Sequence, residues 1–322
     1  MPLSRRHLLA AAAALPLGAP LCADTWPDQP MKVMVPFPAG GSTDILGRMV
    51  AEHLQKQFGK PCTVENLPGA TGTIGVGAVA RAKADGHTLL MGSVGTMVTN
   101  HFAYEKLPYG IDAIAPVINL AETPNVLMVR TSLNVNTPQE LVALMKAQPD
   151  KFQYGSSGIA SSSHLSCELF KARAGVSAVH VPYKGGAPML NDLVGGSIDF
   201  SIDQISSSLK LIQAGRIKAL AVTSRARSKQ LPELPTLGES LLPGFVASPW
   251  FCVGAPAGTP RPVVERINAA LNAMLAEPAV LARLEGYGIV PVGGSADELG
   301  ALVQREAAQV RELATRVNLR AG

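Results

Sequence analysis

Short β-like runs alternate with helical patterns along most of this chain, and that alternation admits few architectures other than α/β layers built on mainly parallel strands. "MKVMV" (31–35) reads as a strand. The helix after it buries Leu46, Met49, Val50, Leu54 and Phe58 and stops at Gly59. "TVEN" (63–66) and "HTLLMG" (87–92) are the next strands, with a helix between them over about 74–84. A crossing segment, "TPNVLMVR" (123–130), leads to a second unit. There Thr137, Pro138 and Glu140 predict a capping box with Pro at the first helical position. The strands "FQY", "AVHVPY", "IDFSID" and "IKALAVTS" alternate with helices, one of them introduced by the turn "KGGAP". "PWFCVGAP" is a further strand. Thr259 with Pro260, and Ser295 with Glu298, are expected to open the last two helices. Two α/β domains joined by two or more crossings would make the middle segment an insertion in a domain built from both chain ends.

The N-terminus follows another logic. Arg5 and Arg6, an uncharged apolar run from Leu8 to Leu17 and small residues ending at Ala23 have the layout of a secretory signal peptide covering residues 1–23. A Sec and a twin-arginine signal both fit. Cys22 follows Leu21, where a lipobox needs a small residue, so a lipid anchor is the lesser reading. Removing 1–23 takes away two arginines and no acid and lowers the formal charge from +4 to +2. So weak a charge argues against a nucleic-acid or polybasic membrane surface. Residues 240–260 are uncharged apart from Glu239 just before them, but Pro243, Pro249, Pro256 and Pro260 argue against a membrane span. Cys62, Cys167 and Cys252 remain, with no CxxC and no Cys/His cluster. They read as buried apolar residues, and a bridge between two of the three stays open.

"PFPAGGSTD" (36–44) places two glycines and a capping Ser–Thr–Asp run between a strand and a helix. Glycines let a backbone approach closely, and a helix start offers unpaired N–H groups and a positive dipole end. An ordinary capped turn would look the same. "YGSSGIASSSHL" (154–165) repeats the arrangement in the second unit. Two such helix starts facing each other across a cleft could each hold one end of a doubly anionic molecule. Neither loop carries the Lys of a phosphate loop, so carboxylates fit better than phosphates.

Other chemistry is poorly supported. "GVGAVA" (75–80) matches GxGxxA but falls inside a predicted helix, and "GSSG" is not GxSxG. His164 lies near serines, which leaves a serine hydrolase using residues 156–163 as the competing reading, with no third group signalled. His53, His87, His101 and His180 lack metal-ligand spacing, so no metal or cofactor is expected. Asp199 and Asp203 share one face of "IDFSID", and Asp203 at the strand end can reach a cleft.

The segments "VPFPAGGSTD", "NLPGATGTIG", "ADGHTLLMG", "YGSSGIASSSHL", "VPYKGGAPMLNDLVGGSID", "ALAVTSRARSKQLPELPTLGES" and "WFCVGAPAGTP" together resemble the periplasmic receptors of tripartite tricarboxylate transporters, the Bug proteins, over essentially the whole mature chain. The resemblance implies a two-domain, Venus-flytrap α/β fold, each domain a mixed, mainly parallel sheet flanked by helices. It places domain 1 at 24–125 plus 246–322 and domain 2 at 126–245. It implies a non-catalytic receptor for a small carboxylate, a dicarboxylate on the two-loop reading. The implied ligand residues are Phe37, Ala39, Gly40, Gly41, Ser42, Thr43 and Asp44 of the first loop and Gly155, Ser156, Ser157, Ser161 and His164 of the second, and Ser93, Tyr183 and Asp203 are expected to join them. A periplasmic monomer working with membrane permease subunits, or with a sensor kinase, is the expected setting. Three positions depart from the family pattern: Ala160 and Thr71 stand where Gly is common, and His87 where Tyr is common. A positive φ at position 160 would strain the second loop.

Overall fold

The computed structural model describes residues 26–314, so the signal peptide reading lies outside the described residues. Its strands form two separate sheets, each covered by helices on both faces. The first sheet has the order β11-β4-β10-β3-β1-β2, with β1 Met31–Val35, β2 Cys62–Asn66, β3 Thr88–Ser93, β4 Ile114–Glu122, β10 Trp250–Pro256 and β11 Val290–Gly293. The second has the order β7-β6-β8-β5-β9, with β5 Asn125–Arg130, β6 Gln153–Ser156, β7 Val179–Pro182, β8 Phe200–Gln204 and β9 Ile217–Val222. Strands β1, β2, β3 and β4 run one way in the first sheet, against β10 and β11. In the second, only β5 opposes the rest. Both sheets are therefore mixed, and most strands in each share one direction.

Helix α1 (Ser42–Phe58) packs with α9 (Arg261–Leu275) and α10 (Pro278–Gly286) on one face of the first sheet, around Leu46, Val50, Leu54, Ile267 and Leu271. On the other face lie α2 (Thr73–Ala80), a π-type turn at Gly95–Thr99, the short α3 (Asn100–Ala103) and α11 (Ala296–Ala314). The second sheet is covered by α4 (Pro138–Ala147), α5 (Ser162–Ala174) and α8 (Leu237–Ser240) on one side, around Tyr154, Phe170, Phe200 and Phe245. Helices α6 (Gly186–Gly195) and α7 (Ile205–Gln213) cover its other side. Burial on both faces explains why the strands read as continuous apolar runs rather than alternating ones.

Several details differ from the sequence expectation. β4 has no counterpart among the expected strands. Pro116 argues against a central strand, and the ladder accommodates it where the β4–β10 register shifts, opposite Gly254. The supposed crossing 123–130 is mostly β5, which pairs with both β8 and β9. The helix expected over 74–84 ends at Ala80. Thr137 caps α4 by accepting the Glu140 N–H, but Glu140 reaches back to the N–H of Asn136, so the box is not reciprocal. Thr259 is not a cap: its hydroxyl donates to the Pro256 carbonyl at 2.7 Å, and Pro260 takes the N-cap position of α9. Ser295 and Glu298 do bond reciprocally. The three cysteines are free and buried, so no bridge forms among them.

The two sheets are joined by adjacent crossings. Thr123 N–H donates to the Pro249 carbonyl and Ala247 N–H to the Thr223 carbonyl, while the Thr223 hydroxyl donates to the Ala247 carbonyl at 2.8 Å. These bonds tie the β4–β5 and β9–β10 connections into one hinge, and Ser42, in the turn after the carboxyl end of β1, meets Gln204 at the carboxyl end of β8.

Candidate carboxylate site

The first wall of the cleft follows β1. Gly40 has φ +91°, a conformation that favours glycine, and Gly41 opens α1 at φ −85° with no side-chain cap. Gly41, Ser42 and Thr43 therefore present N–H groups without intrahelical partners. Asp44 does not point its charge into this array. Its Oδ2 accepts from Gly40 N–H (3.0 Å) and Arg48 Nε (2.9 Å), and its Oδ1 from Asn66 Nδ2 (2.9 Å). Burial alone would raise the Asp44 pKa, but the hydrogen bonds from Arg48, Gly40 and Asn66 outweigh it and leave the pKa below the usual carboxylate value. Asn66 also donates to the Phe37 carbonyl, at 3.1 Å. Phe37 is half-buried, Ala39 is exposed, and the Ser93 hydroxyl stands beside Gly95, where a Cβ would lie 3.6 Å from it.

The second wall follows β6. Ser161 caps α5 by accepting the His164 N–H and donates to the Gly158 carbonyl at 2.6 Å. The Ser157 hydroxyl pairs with Ser163 at 2.9 Å, and Ser163 also accepts the Ser157 N–H. Most hydroxyls here thus shape the loop, and the N–H groups of the first turn of α5 other than that of His164 have no intrahelical partner. Ala160 adopts φ +63°, the strained position anticipated from sequence, and is fully buried.

The expected residues fall into two groups. Gly40 and Gly41 are exposed, Ser42, Thr43 and Ser93 are buried beside them or at the end of β3, and Ser157 and Ser161 are half-buried in the second loop. Gly155, Ser156, His164 and Asp203 are buried behind the second loop; Asp203 is 3% exposed. Burial raises the Asp203 pKa to about 6, against the opposing Gln204 N–H and Ser207 hydroxyl. Tyr183 is half-buried, and its hydroxyl donates to Asp192 at 2.7 Å. Asp199 sits beyond the opposite end of β8, bound to Arg130 at 2.9 Å, so the two acids form no pair.

Residues not anticipated from sequence bring the walls together. Ser42 Oγ donates to Gln204 Oε1 (2.7 Å) and lies 2.6 Å from Ser206 Oγ, at the start of α7. Thr71 Oγ1 bonds the Tyr104 hydroxyl (3.0 Å) and the Ile159 carbonyl (3.2 Å) across the cleft. The signal for Gln204 and Ser206 was available, since they sit where a strand ends and a helix begins. Thr71 carried only its departure from glycine. Among the described residues, the expected His164–serine pairing does not form. His164 Nδ1 accepts the Ala160 N–H at 3.1 Å rather than meeting a serine. Ser156 pairs with His180 at 2.6 Å but is fully buried and also bonded to Gly158. Among the described residues no cluster could hold a metal ion, and no helix is long and apolar enough to cross a membrane.

Comparison with known proteins agrees with this architecture. BugT of Bordetella pertussis is 36% identical over 302 residues, 92% of this chain and 93% of that one. The structure of Rpa4515 of R. palustris with adipate superposes with a TM-score of 0.85 at 38% identity, covering 90% of this chain and 97% of the other. MatC of Rhodopseudomonas palustris with bound malate gives a TM-score of 0.82 at 33% identity, over 89% and 99% of the two chains. The family model of the tripartite tricarboxylate transporter family receptor matches residues 46–319. The chain is a member of that tripartite tricarboxylate transporter receptor family, a family of periplasmic solute-binding proteins.

Proposed function

We propose that this protein captures a small dicarboxylate between its two lobes, 24–125 plus 246–322 and 126–245, and presents it to the membrane permease subunits of a tripartite tricarboxylate transporter. One observation supports the reading: Ser42, at the start of α1, bonds Gln204 and Ser206 of the second sheet's side, and Ile159, just before α5, bonds Thr71 of the first, so both Gly/Ser loops lie at contacts between the two halves, with no Lys or Arg in either loop. Neutral donors and helix dipoles stabilise a carboxylate without a buried ion pair, so binding remains reversible. The adipate and malate bound by structural neighbours are the same chemistry. Export through the signal at 1–23 would bring the receptor to the periplasm as a monomer.

The test is a thermal-shift screen of the mature protein against C3 to C10 mono- and dicarboxylates, acidic amino acids and aromatic acids. A ligand bound only by the folded state raises the melting temperature. Dicarboxylates should produce the largest shifts, confirmed by calorimetry with the ligand recovered unchanged. Stabilisation by monocarboxylates alone, or turnover of the ligand, would count against the proposal.

A further inference from the structure

Beneath the second loop lies a stack of three aromatic rings. His180 packs on Tyr154 at 4.8 Å and on His164 at 4.2 Å, with the planes within 11° and 7° of parallel. Each imidazole is tied to the loop above it. His180 Nε2 lies 2.6 Å from Ser156 Oγ, which also takes the Gly158 N–H at 3.3 Å. His164 Nδ1 accepts the buried N–H of Ala160 at 3.1 Å. Ala160 is the one residue of this loop other than glycine with a left-handed backbone, at φ +63°, and the imidazole acceptor satisfies an N–H that burial would otherwise leave unpaired.

We propose, resting on the reading of the cleft as an anion site, that His164 is a positioning residue: its neutral imidazole, protonated on Nε2, holds Ala160 in the left-handed turn and thereby aims the donors of residues 159–163 at the ligand. His164 itself does not touch the ligand.

The surroundings favour the neutral ring. Glu168 and Lys171 face the stack from α5, Tyr154 and Ser156 from β6 and His180 from β7, while Cys167 of α5 and Asp203 of β8 lie behind it. Burial lowers the His164 pKa, with Lys171 adding to the effect and Glu168 opposing it. Burial and the neighbouring His164 lower that of His180 to about 4. Glu168 is itself engaged, accepting from the Tyr154 hydroxyl and from Lys171 Nζ. Protonating Nδ1 would replace the acceptor with a donor facing the Ala160 N–H, and the loop would let go.

The experiment uses the ligand-free, isotopically labelled mature protein, so failure to bind a dicarboxylate would count against the proposed function alone. Long-range nitrogen–proton spectra at pH 7 should show Nδ1 of His164 unprotonated. Amide exchange at Ala160 should quicken about ten-fold or more in His164→Ala. It should stay within about three-fold of wild type in His164→Asn, whose side-chain oxygen can occupy the Nδ1 position. With adipate as probe, the affinity of His164→Ala should fall about ten-fold below that of His164→Asn. Should His164→Ala not fold, His164→Asn against His164→Gln decides, because the longer amide oxygen misses that position. A protonated Nδ1, or equal Ala160 exchange in the folded variants being compared, overturns the proposal.

Discussion

Asp44 shows how an acid can serve an anion site without repelling its ligand. Three donors saturate its carboxylate, so it acts as a brace for Gly40. Asp44→Ala is expected to lower the melting temperature, at a cost of about 1.5–3 kcal/mol for hydrogen bonds to a charged group. It should weaken an amino-dicarboxylate and its des-amino analogue, aspartate and succinate, to the same degree. Selective loss of aspartate binding would make Asp44 a ligand contact instead. The sign with pH follows from its lowered pKa: the contribution is present above the unfolded value near 3.8 and fades as pH falls through the folded value. The neighbouring glycines differ. Gly40→Ala should destabilise by about 1–2 kcal/mol because its φ is +91°. Gly41, at φ −85° and with no atom within 4 Å of the place a Cβ would take, should accept a side chain and still fold. Loss of dicarboxylate affinity in a folded Gly41→Val would mark its N–H as a ligand donor; unchanged affinity would reduce this turn to a turn. The glycines and hydroxyls of the site were legible because helix starts have a sequence signature. The partners of those hydroxyls were not, since Ser42 meets Gln204 across 162 residues and no local pattern records that distance.

At the scale of elements, α2 settles the meaning of its GxGxxA run. A Cβ on Gly75 would lie 2.9 Å from both the Pro36 Cα and the Leu67 carbonyl oxygen, and one on Gly77 would meet Pro108 at 3.0 Å. Gly75 lets the helix approach neighbouring backbone and Gly77 lets it approach the Pro108 ring; nothing about them requires a dinucleotide. Gly75→Ala gains about 1 kcal/mol of helix propensity but must push against backbone, so we expect net destabilisation of about 1–3 kcal/mol in urea unfolding. Unchanged or increased stability would mean that α2 shifts freely. Most strands and the α1 boundaries were readable, because continuous apolar runs and the Gly59 cap are local signals. β4 escaped because its Pro116 is tolerated only through a register shift supplied by β10, more than a hundred residues away. The Thr259 cap failed for a similar reason: the hydroxyl had a nearer acceptor at Pro256.

At the scale of the whole molecule, the two sheets are joined at the crossings and meet again through side chains at the loops. The hinge bonds, Thr123 with Pro249 and Thr223 with Ala247, lie at the crossings, and the loops are held by Ser42 with Gln204 and Ser206 and by Thr71 with Ile159. These loop contacts exist only when the lobes meet, so they add to the closed state alone and favour closure whether or not a ligand is bound. Thr71 invites the clearest test, because its backbone is already left-handed at φ +52° and its hydroxyl spans the cleft. Thr71→Val keeps the shape and removes the bond. A hydrogen bond of about 1 kcal/mol changes the closed-to-open ratio roughly five-fold. The ligand-free variant should therefore show a larger radius of gyration by X-ray scattering than ligand-free wild type. Both should converge on the same value when saturated with adipate. Its affinity for adipate should fall by no more than that same factor, since a ligand that binds the closed form is penalised only by the lost population of that form. Thr71→Ser, which retains the hydroxyl, should behave as wild type. If scattering and affinity are both unchanged in Thr71→Val, the contact follows closure without contributing to it, and the closed state rests on the ligand and the remaining contacts, Ser42 with Gln204 and Ser206 and Glu285 with Lys229 and Gln230.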